Sequence, residues 1–348
     1  INLYVKKSMN ILKYICLPGL LASGDIQTVS AVESKTDKNP NILVILIDDA
    51  GYNDFGFMGS KEMQTPNIDA LTSEGVVFTD AHVAATVSSP SRACLITGRY
   101  GHRFGYECNL SDRTNGLPLE EETIAEVFKT NGYRTAAIGK WHLGSRDEQH
   151  PNNRGFDLFY GMKAGGRDYF YNEKKSDRPG DERNLLLNDR QVKFEKYLTD
   201  AFSEKAVEFI NESSQPFMMY LAYNAVHSPM QATDEDMAKF EGHPRQKLAA
   251  MTYALDRGVG TVIRGLKDSG KFDNTLIFFL SDNGGATTNQ SSNYPLKGFK
   301  GNKFEGGHRV PYFVVWKNGI PAGKPYDGLV SSLDIFATAI DAASISKT

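Results

Sequence analysis

Asn41-Ile42-Leu43-Val44-Ile45-Leu46-Ile47-Asp48-Asp49 is the stretch on which the fold turns. Seven uncharged residues, rich in β-branched side chains, read as a strand buried on both faces. Such strands belong to parallel sheets covered by helices. A second run of this kind, Leu276-Ile277-Phe278-Phe279-Leu280, ends in Ser281-Asp282-Asn283-Gly284-Gly285. Arg134 to Ile138 reads as a strand leading to Gly139-Lys140-Trp141-His142, and Phe217 to Ala222 as one leading to His227. Val76 to Phe78 and Val310 to Trp316 are further strands. Helices are expected from Thr65-Pro66 to Ser73, after Ser91, from about Glu120 to Asn131, over 198–213, over most of 234–268, and from Ser332 to Ala343. Strands that alternate with helices make βαβ units, so the class is α/β with a mostly parallel sheet between helices. Ligands of such sheets bind beyond the carboxyl ends of the strands. Asp48-Asp49, Lys140 with His142, His227 and Asp282-Asn283 should therefore meet on one rim. The polar stretch 163–193 is read as an irregular excursion near it.

Composition narrows the partners. A formal net charge of −3 with no long basic run gives no footing for nucleic acid or an anionic membrane. Three cysteines, Cys16, Cys94 and Cys108, make no disulfide framework. Cys94 and Cys108 are expected as buried free thiols, with pairing as the alternative. Lys6, Lys7 and Lys13, the apolar stretch Ile11 to Ala22 and the small residues Val29-Ser30-Ala31 read as an export leader, too short to span a membrane. The division is thus a leader over 1–31, a linker over 32–40 and one main domain over 41–348, with a periplasmic or secreted location.

The candidate chemistry lies in four segments. Asp48, Asp49, Asp282 and Asn283 are hard oxygen donors with no cysteine nearby, which favours calcium or magnesium over zinc. Each acidic pair alone could cap or turn the chain, but both end buried apolar strands. Thr86 to Gly98 reads Thr-Val-Ser-Ser-Pro-Ser-Arg-Ala-Cys-Leu-Ile-Thr-Gly. It contains Ser88-Ser89-Pro90-Ser91-Arg92 and runs into Thr97-Gly98-Arg99. The bland reading is a helix cap built from Ser88 to Ser91. Gly139 to Gly144 reads Gly-Lys-Trp-His-Leu-Gly, and Lys300 stands in Leu-Lys-Gly-Phe-Lys-Gly before Phe304-Glu305-Gly306-Gly307.

Together these motifs resemble type I sulfatases of the alkaline phosphatase-like superfamily, from residue 41 to about 343. The resemblance implies that Ser88 is oxidised after translation to formylglycine, the nucleophile. It also implies one calcium ion held by Asp48, Asp49, Asp282, Asn283 and residue 88. Arg92 and His142 would orient the hydrated formylglycine, and Asp282 would take its proton. Lys140, Lys300 and His227 would hold the sulfate, with His227 protonating the leaving group. A Ser-type signature implies a bacterial radical-SAM maturing enzyme as partner. Family members continue into a smaller C-terminal subdomain, which implies that this chain is truncated where it stops at Thr348. The expected substrate is an O-sulfated sugar of glycosaminoglycan or mucin type. His308, His102, Arg167 and Asp168 are candidates to grip sugar hydroxyls. Two rivals stand beside this reading. One is a phosphonate or phosphate ester hydrolase of the same superfamily. The other is a pseudo-sulfatase that binds sulfated glycans without turnover.

Overall fold

A computed structural model describes residues 39–109 and 116–346. The expected leader, most of the linker and Cys16 lie outside the described residues. In chain order the elements are β1 (Asn41–Ile47), α1 (Pro66–Thr72), β2 (Val76–Phe78), β3 (Ala81–His82), α2 (Ser88–Thr97), α3 (Ile124–Thr130), β4 (Arg134–Lys140), β5 (Leu158–Met162), β6 (Leu186–Leu187), β7 (Arg190–Gln191), α4 (Leu198–Glu212), β8 (Phe217–Ala222), α5 (Asp234–Ala238), α6 (Gln246–Asp268), β9 (Thr275–Ser281), α7 (Glu305–His308), β10 (Tyr312–Val315), β11 (Val330–Ser331) and α8 (Asp334–Ala342).

Nine strands form one sheet in the order β2-β10-β9-β1-β8-β4-β5-β6-β7. Its centre, β9-β1-β8-β4-β5, is parallel, as the sequence predicts. Its edges are antiparallel: β10 and β2 on one side, the β6–β7 hairpin on the other. The expected run 310–316 is thus shorter and opposite in direction. The hairpin lies within the stretch read as irregular. The sheet is therefore mixed, with its parallel part in the middle. β1 shows why. Leu43, Ile45 and Ile47 point into one core, with Ile68 and Leu71 of α1 and the apolar faces of α4 and α6. Ile42, Val44 and Leu46 point into the other, with α2, α3 and α8. A strand buried on both sides needs apolar side chains at every position.

Local chemistry moved several predicted boundaries. α3 starts at Ile124 because Thr123 and Glu126 form a capping box, not at Glu120. The region 234–268 is two helices, interrupted by left-handed Gly242 (φ +79°) and by Pro244. β5 was not foreseen, because Leu-Phe-Tyr-Gly-Met is short and contains a glycine. No helix among the described residues is long and apolar enough to cross a membrane. Cys94 and Cys108 are both free, yet only Cys94 is buried, and Cys108 is exposed.

Leu46 is fully buried on the central strand. Leu46→Ala is expected to cost about 2–5 kcal/mol of unfolding free energy, read from urea denaturation.

Candidate active site

The parallel registers set the carboxyl ends of the central strands side by side: Ile47 beside Ser281, Leu46 beside Ala222, and Gly139 beside Ala222. The residues after each strand share one rim for that reason. β8 leads into a loop tied to β1 by Asp48 N–H donating to Ala225 O (2.9 Å) and Val226 N–H donating to Asp48 O (2.8 Å). That loop delivers His227. α2 adds Ser88 from its first turn.

Ser88 does not cap its helix. Val87 occupies the cap position and makes no side-chain cap bond. Instead the fully buried Ser88 Oγ lies 3.3 Å from Asp48 Oδ1 and 3.2 Å from Asn283 Oδ1. The amide of Asn283 is oriented by its Nδ2, which donates to Asp49 Oδ1 (2.8 Å) and Gly284 O (3.0 Å), so its oxygen faces Ser88. Three oxygens thus converge with a single hydroxyl proton among them. Oxygens around a hard cation at about 2.3–2.6 Å have such spacings. The donor set fits calcium. Asp49 joins it through Asn283, and Asp282 Oδ1 accepts from Asp49 N–H (3.2 Å). Asp48, Asp49 and His227 also have ligand atoms within 4.8 Å of one another.

Three cations answer three buried carboxylates. Arg92 donates through Nε and Nη2 to Asp282 Oδ2 (3.1 and 2.9 Å) and through Nη1 to Lys140 O (3.2 Å). Lys140 Nζ lies 2.7 Å from Asp48 Oδ2, both side chains fully buried. Lys300 Nζ lies 2.7 Å from Asp49 Oδ1. Lys297 is set aside by geometry, because its ammonium sits 4.1 Å from the centre of the Phe304 ring. Lys300 and His227 are 19% and 23% exposed, so they border the open side, while Arg92 and Lys140 form the floor.

Burial opposes charge on Asp48, but Lys140, His227 and Arg92 outweigh it and hold the carboxyl below its usual value. Burial draws Lys140 down, with Asp48 opposing. Burial would do the same to Lys300, yet Asp49 and Asp48 raise it, so its ammonium persists. His142 is held well below its ordinary value, first by burial and then by Lys140 and Arg92, so its ring is neutral near pH 7. Its Nδ1 is buried without a partner. Asp49 (φ +60°) and His142 (φ +58°) both adopt the left-handed region, which costs non-glycine residues energy and recurs at functional sites.

The other candidate residues are placed as follows. His102 is exposed in a turn at 101–104. His308 is engaged with His82. Arg167 is buried in a two-bonded pair with Asp177 (2.8 and 2.9 Å), and Asp168 accepts from Ser176 and Gln231. Neither is free for a sugar. The excursion meets the site through Gly165 and Gly166 instead. A Cβ on Gly165 would stand 2.5 Å from His142 Nε2, and one on Gly166 3.3 Å from the His227 ring. Sequence reasoning passed over this Gly-Gly pair, and the only signal was its place just after β5. It also passed over Ser89, whose Oγ donates to His142 O (2.7 Å), and over Asn289, whose Nδ2 donates to Asp49 O and Val226 O.

The sulfatase family model matches residues 40–345. The uncharacterized sulfatase YdeN of Escherichia coli (strain K12) is 34% identical over 90% of this chain and 64% of its own length. N-acetylgalactosamine-6-sulfatase of Canis lupus familiaris is 33% identical over 88% of this chain and 62% of its own. The chain spans less than two thirds of these two relatives. The crystal structure of Ps i-CgsB in complex with k-i-k-neocarrahexaose is 43% identical, with a TM-score of 0.84 over 89% of this chain and 73% of that one.

The neutral His142 carries a pH dependence. Its folded pKa lies below the 6.5 of an unfolded histidine, so its contribution is present above pH 6.5 and is lost as pH falls below it. The slope is at most about 1.4 kcal/mol per pH unit. His142→Asn should flatten this fall between about pH 7 and about pH 5, read from urea midpoints across the series.

Proposed function

This chain belongs to the sulfatase family, and we propose that it hydrolyses O-sulfate esters of sugars with residue 88 as the nucleophile. The observation that carries the reading is the convergence of the oxygens of Ser88, Asp48 and Asn283 beside Arg92, Lys140 and Lys300. Three cations offset three carboxylates, so a bound divalent ion leaves a positive surplus that suits an anionic ester. Calcium in that set supplies a charge that draws sulfate oxygen density and favours the deprotonated hydroxyl. Formylglycine at residue 88, when hydrated, supplies two hydroxyls on one carbon, one to attack sulfur and one to let sulfate leave as the aldehyde re-forms.

The chain's own residues do the rest. The first-turn N–H groups of α2 favour negative charge beside residue 88. Asp282, held by Arg92, receives the proton of the attacking hydroxyl. Neutral His142 orients the second hydroxyl. Lys140 and Lys300 hold the sulfate oxygens, and His227, on the open side, donates the proton to the leaving alkoxide. A radical-SAM enzyme would oxidise Ser88 before export to the periplasm or beyond.

The relatives support a sugar ester. N-acetylgalactosamine-6-sulfatases point to glycosaminoglycan or mucin-type chains. The complex with k-i-k-neocarrahexaose favours, as a second substrate, an oligosaccharide of that type. The test is calcium-dependent sulfate release by a Ser88→Cys version made in a host that converts such cysteines to formylglycine, with conversion checked by peptide mass. The panel holds sulfated mono- and disaccharides, including N-acetylgalactosamine 6-sulfate, and k-i-k-neocarrahexaose, beside a phosphodiester and a phosphonate. Release from one sugar supports the proposal. Faster phosphorus-ester turnover overturns it, and sugar binding without release makes the chain a binding protein.

Ser88→Ala is expected to lower turnover by more than about 1,000-fold while shifting stability by only about 1 kcal/mol. Parallel activity and denaturation measurements check both. Asp282→Asn should raise the calcium concentration needed for half-maximal rate, and an unchanged calcium requirement would place the ion elsewhere.

A further inference from the structure

Apart from the catalytic rim, a second group of metal-ligating side chains stands on β3 and α7. His82, Glu305 and His308 have ligand atoms within 4.8 Å of one another. The backbone builds the juxtaposition. Val83 N–H donates to His308 O (2.8 Å), Val310 N–H donates to Ala81 O (2.9 Å), and His82 bridges to Arg309. Glu305 and His308 are three apart on a single helical turn and so share a face. The two imidazole rings lie with centroids 5.1 Å apart.

Asp80 makes this more than proximity. Its Oδ1 lies 3.0 Å from His82 Nε2. A ring that donates Nε2–H to a carboxylate keeps its lone pair on Nδ1, and it is His82 Nδ1 that faces His308 Nδ1 at 2.9 Å. Carboxylate-oriented histidines are a hallmark of metal ligands. Two nitrogens and a carboxylate leave a fourth tetrahedral position for water, the donor set that suits zinc. Two nitrogens bound to one zinc ion stand about 3.4 Å apart, so a small rotation of one partly exposed ring admits the ion. Glu305 Oε2 is 3.3 Å from Arg309 Nη1, an exposed pair that can shift or persist through one oxygen.

We propose that His82, His308 and Glu305, with Asp80 as the orienting carboxylate, form a second metal site for zinc or a similar borderline divalent ion, distinct from the oxygen-only site. The site is a staple between two segments that serve the rim. β3 runs on through residues 83–87 to Ser88. α7 is bonded to the segment carrying Lys300 through Gly306 N–H donating to Lys297 O (2.8 Å), and that segment is held to the turn after β9 through Lys300 N–H donating to Gly285 O (3.1 Å). A Cβ on Gly284 would stand 1.8 Å from Gly306 O, so the α7 backbone lies directly against the Asp282–Gly284 turn. The ion joins the segment of the nucleophile to the segment of the sulfate-facing lysine.

The test is zinc titration of the full chain by calorimetry in excess calcium, with cobalt absorption as a second probe. One zinc per chain is expected, together with a cobalt spectrum of tetrahedral type and a rise in melting temperature on adding zinc. His82→Ala and His308→Ala should each weaken binding at least 100-fold, and Asp80→Asn about tenfold. Melting without zinc checks that each variant is folded. Ser88→Ala should bind zinc like the parent. Absence of zinc binding by the parent overturns the proposal, leaving the imidazoles to share a proton. Equal binding by the His82→Ala/His308→Ala double variant, or loss in Ser88→Ala, overturns it equally by placing the ion elsewhere.

Discussion

The rest of the structure is arranged around a set of ion pairs, two of them wholly buried and one reaching the mouth of the pocket. Asp48 faces Lys140, Asp282 faces Arg92, and Asp49 faces Lys300. A carboxylate stripped of water is stable only with a partner and full hydrogen bonding. None of these six groups can be moved without stranding another. The pairs also cross-link the chain. Asp48 follows β1, Lys140 ends β4, Asp282 follows β9 and Arg92 rides on α2, so one polar cluster ties together elements far apart in sequence.

The fold supplies the stiffness that this cluster needs. A sheet packed on both faces holds its strand ends in register. Loops leaving those ends inherit positions set by backbone ladders. On that base the chain places Asp49 and His142, among other residues, in the left-handed region, where one carboxylate and one ring turn into the pocket. The Gly165-Gly166 pair performs a complementary task. By carrying no side chain it lets a loop cover His142 and His227 without displacing either ring.

The same backbone logic explains why the pocket is polar and yet ordered. Asn289 and Ser291 both donate to Asp49 O, and Ser89 donates to His142 O. These bonds fix the main chain under the side chains that face the opening. The exposed fraction rises from the floor, Arg92 and Lys140, to the mouth, Lys300 and His227. A group entering from solvent therefore meets the partly exposed Lys300 and His227 first and the buried Lys140 and Arg92 last.

Much of this was legible in the chain itself. The runs at 41–47 and 276–280 can satisfy their side chains only between two cores, and that dictates parallel strands and a rim at their carboxyl ends. Acidic pairs at both run ends marked the oxygen donors, and the Ser88–Arg92 and Gly139–Gly144 motifs marked the rest of the cluster. Some short or antiparallel features were not legible: β5, the β6–β7 hairpin and the direction of β10 depend on which neighbour offers a free edge. Nor could side-chain partners be read. Arg167 carries the charge of a sugar ligand but spends it on Asp177, and His308 spends its nitrogen on His82. Residue type and spacing determine what a segment can bury and what chemistry it can offer. Which polar atoms finally meet is decided by packing, because hydrogen bonds and ion pairs act over a few ångströms and only the assembled fold sets those distances.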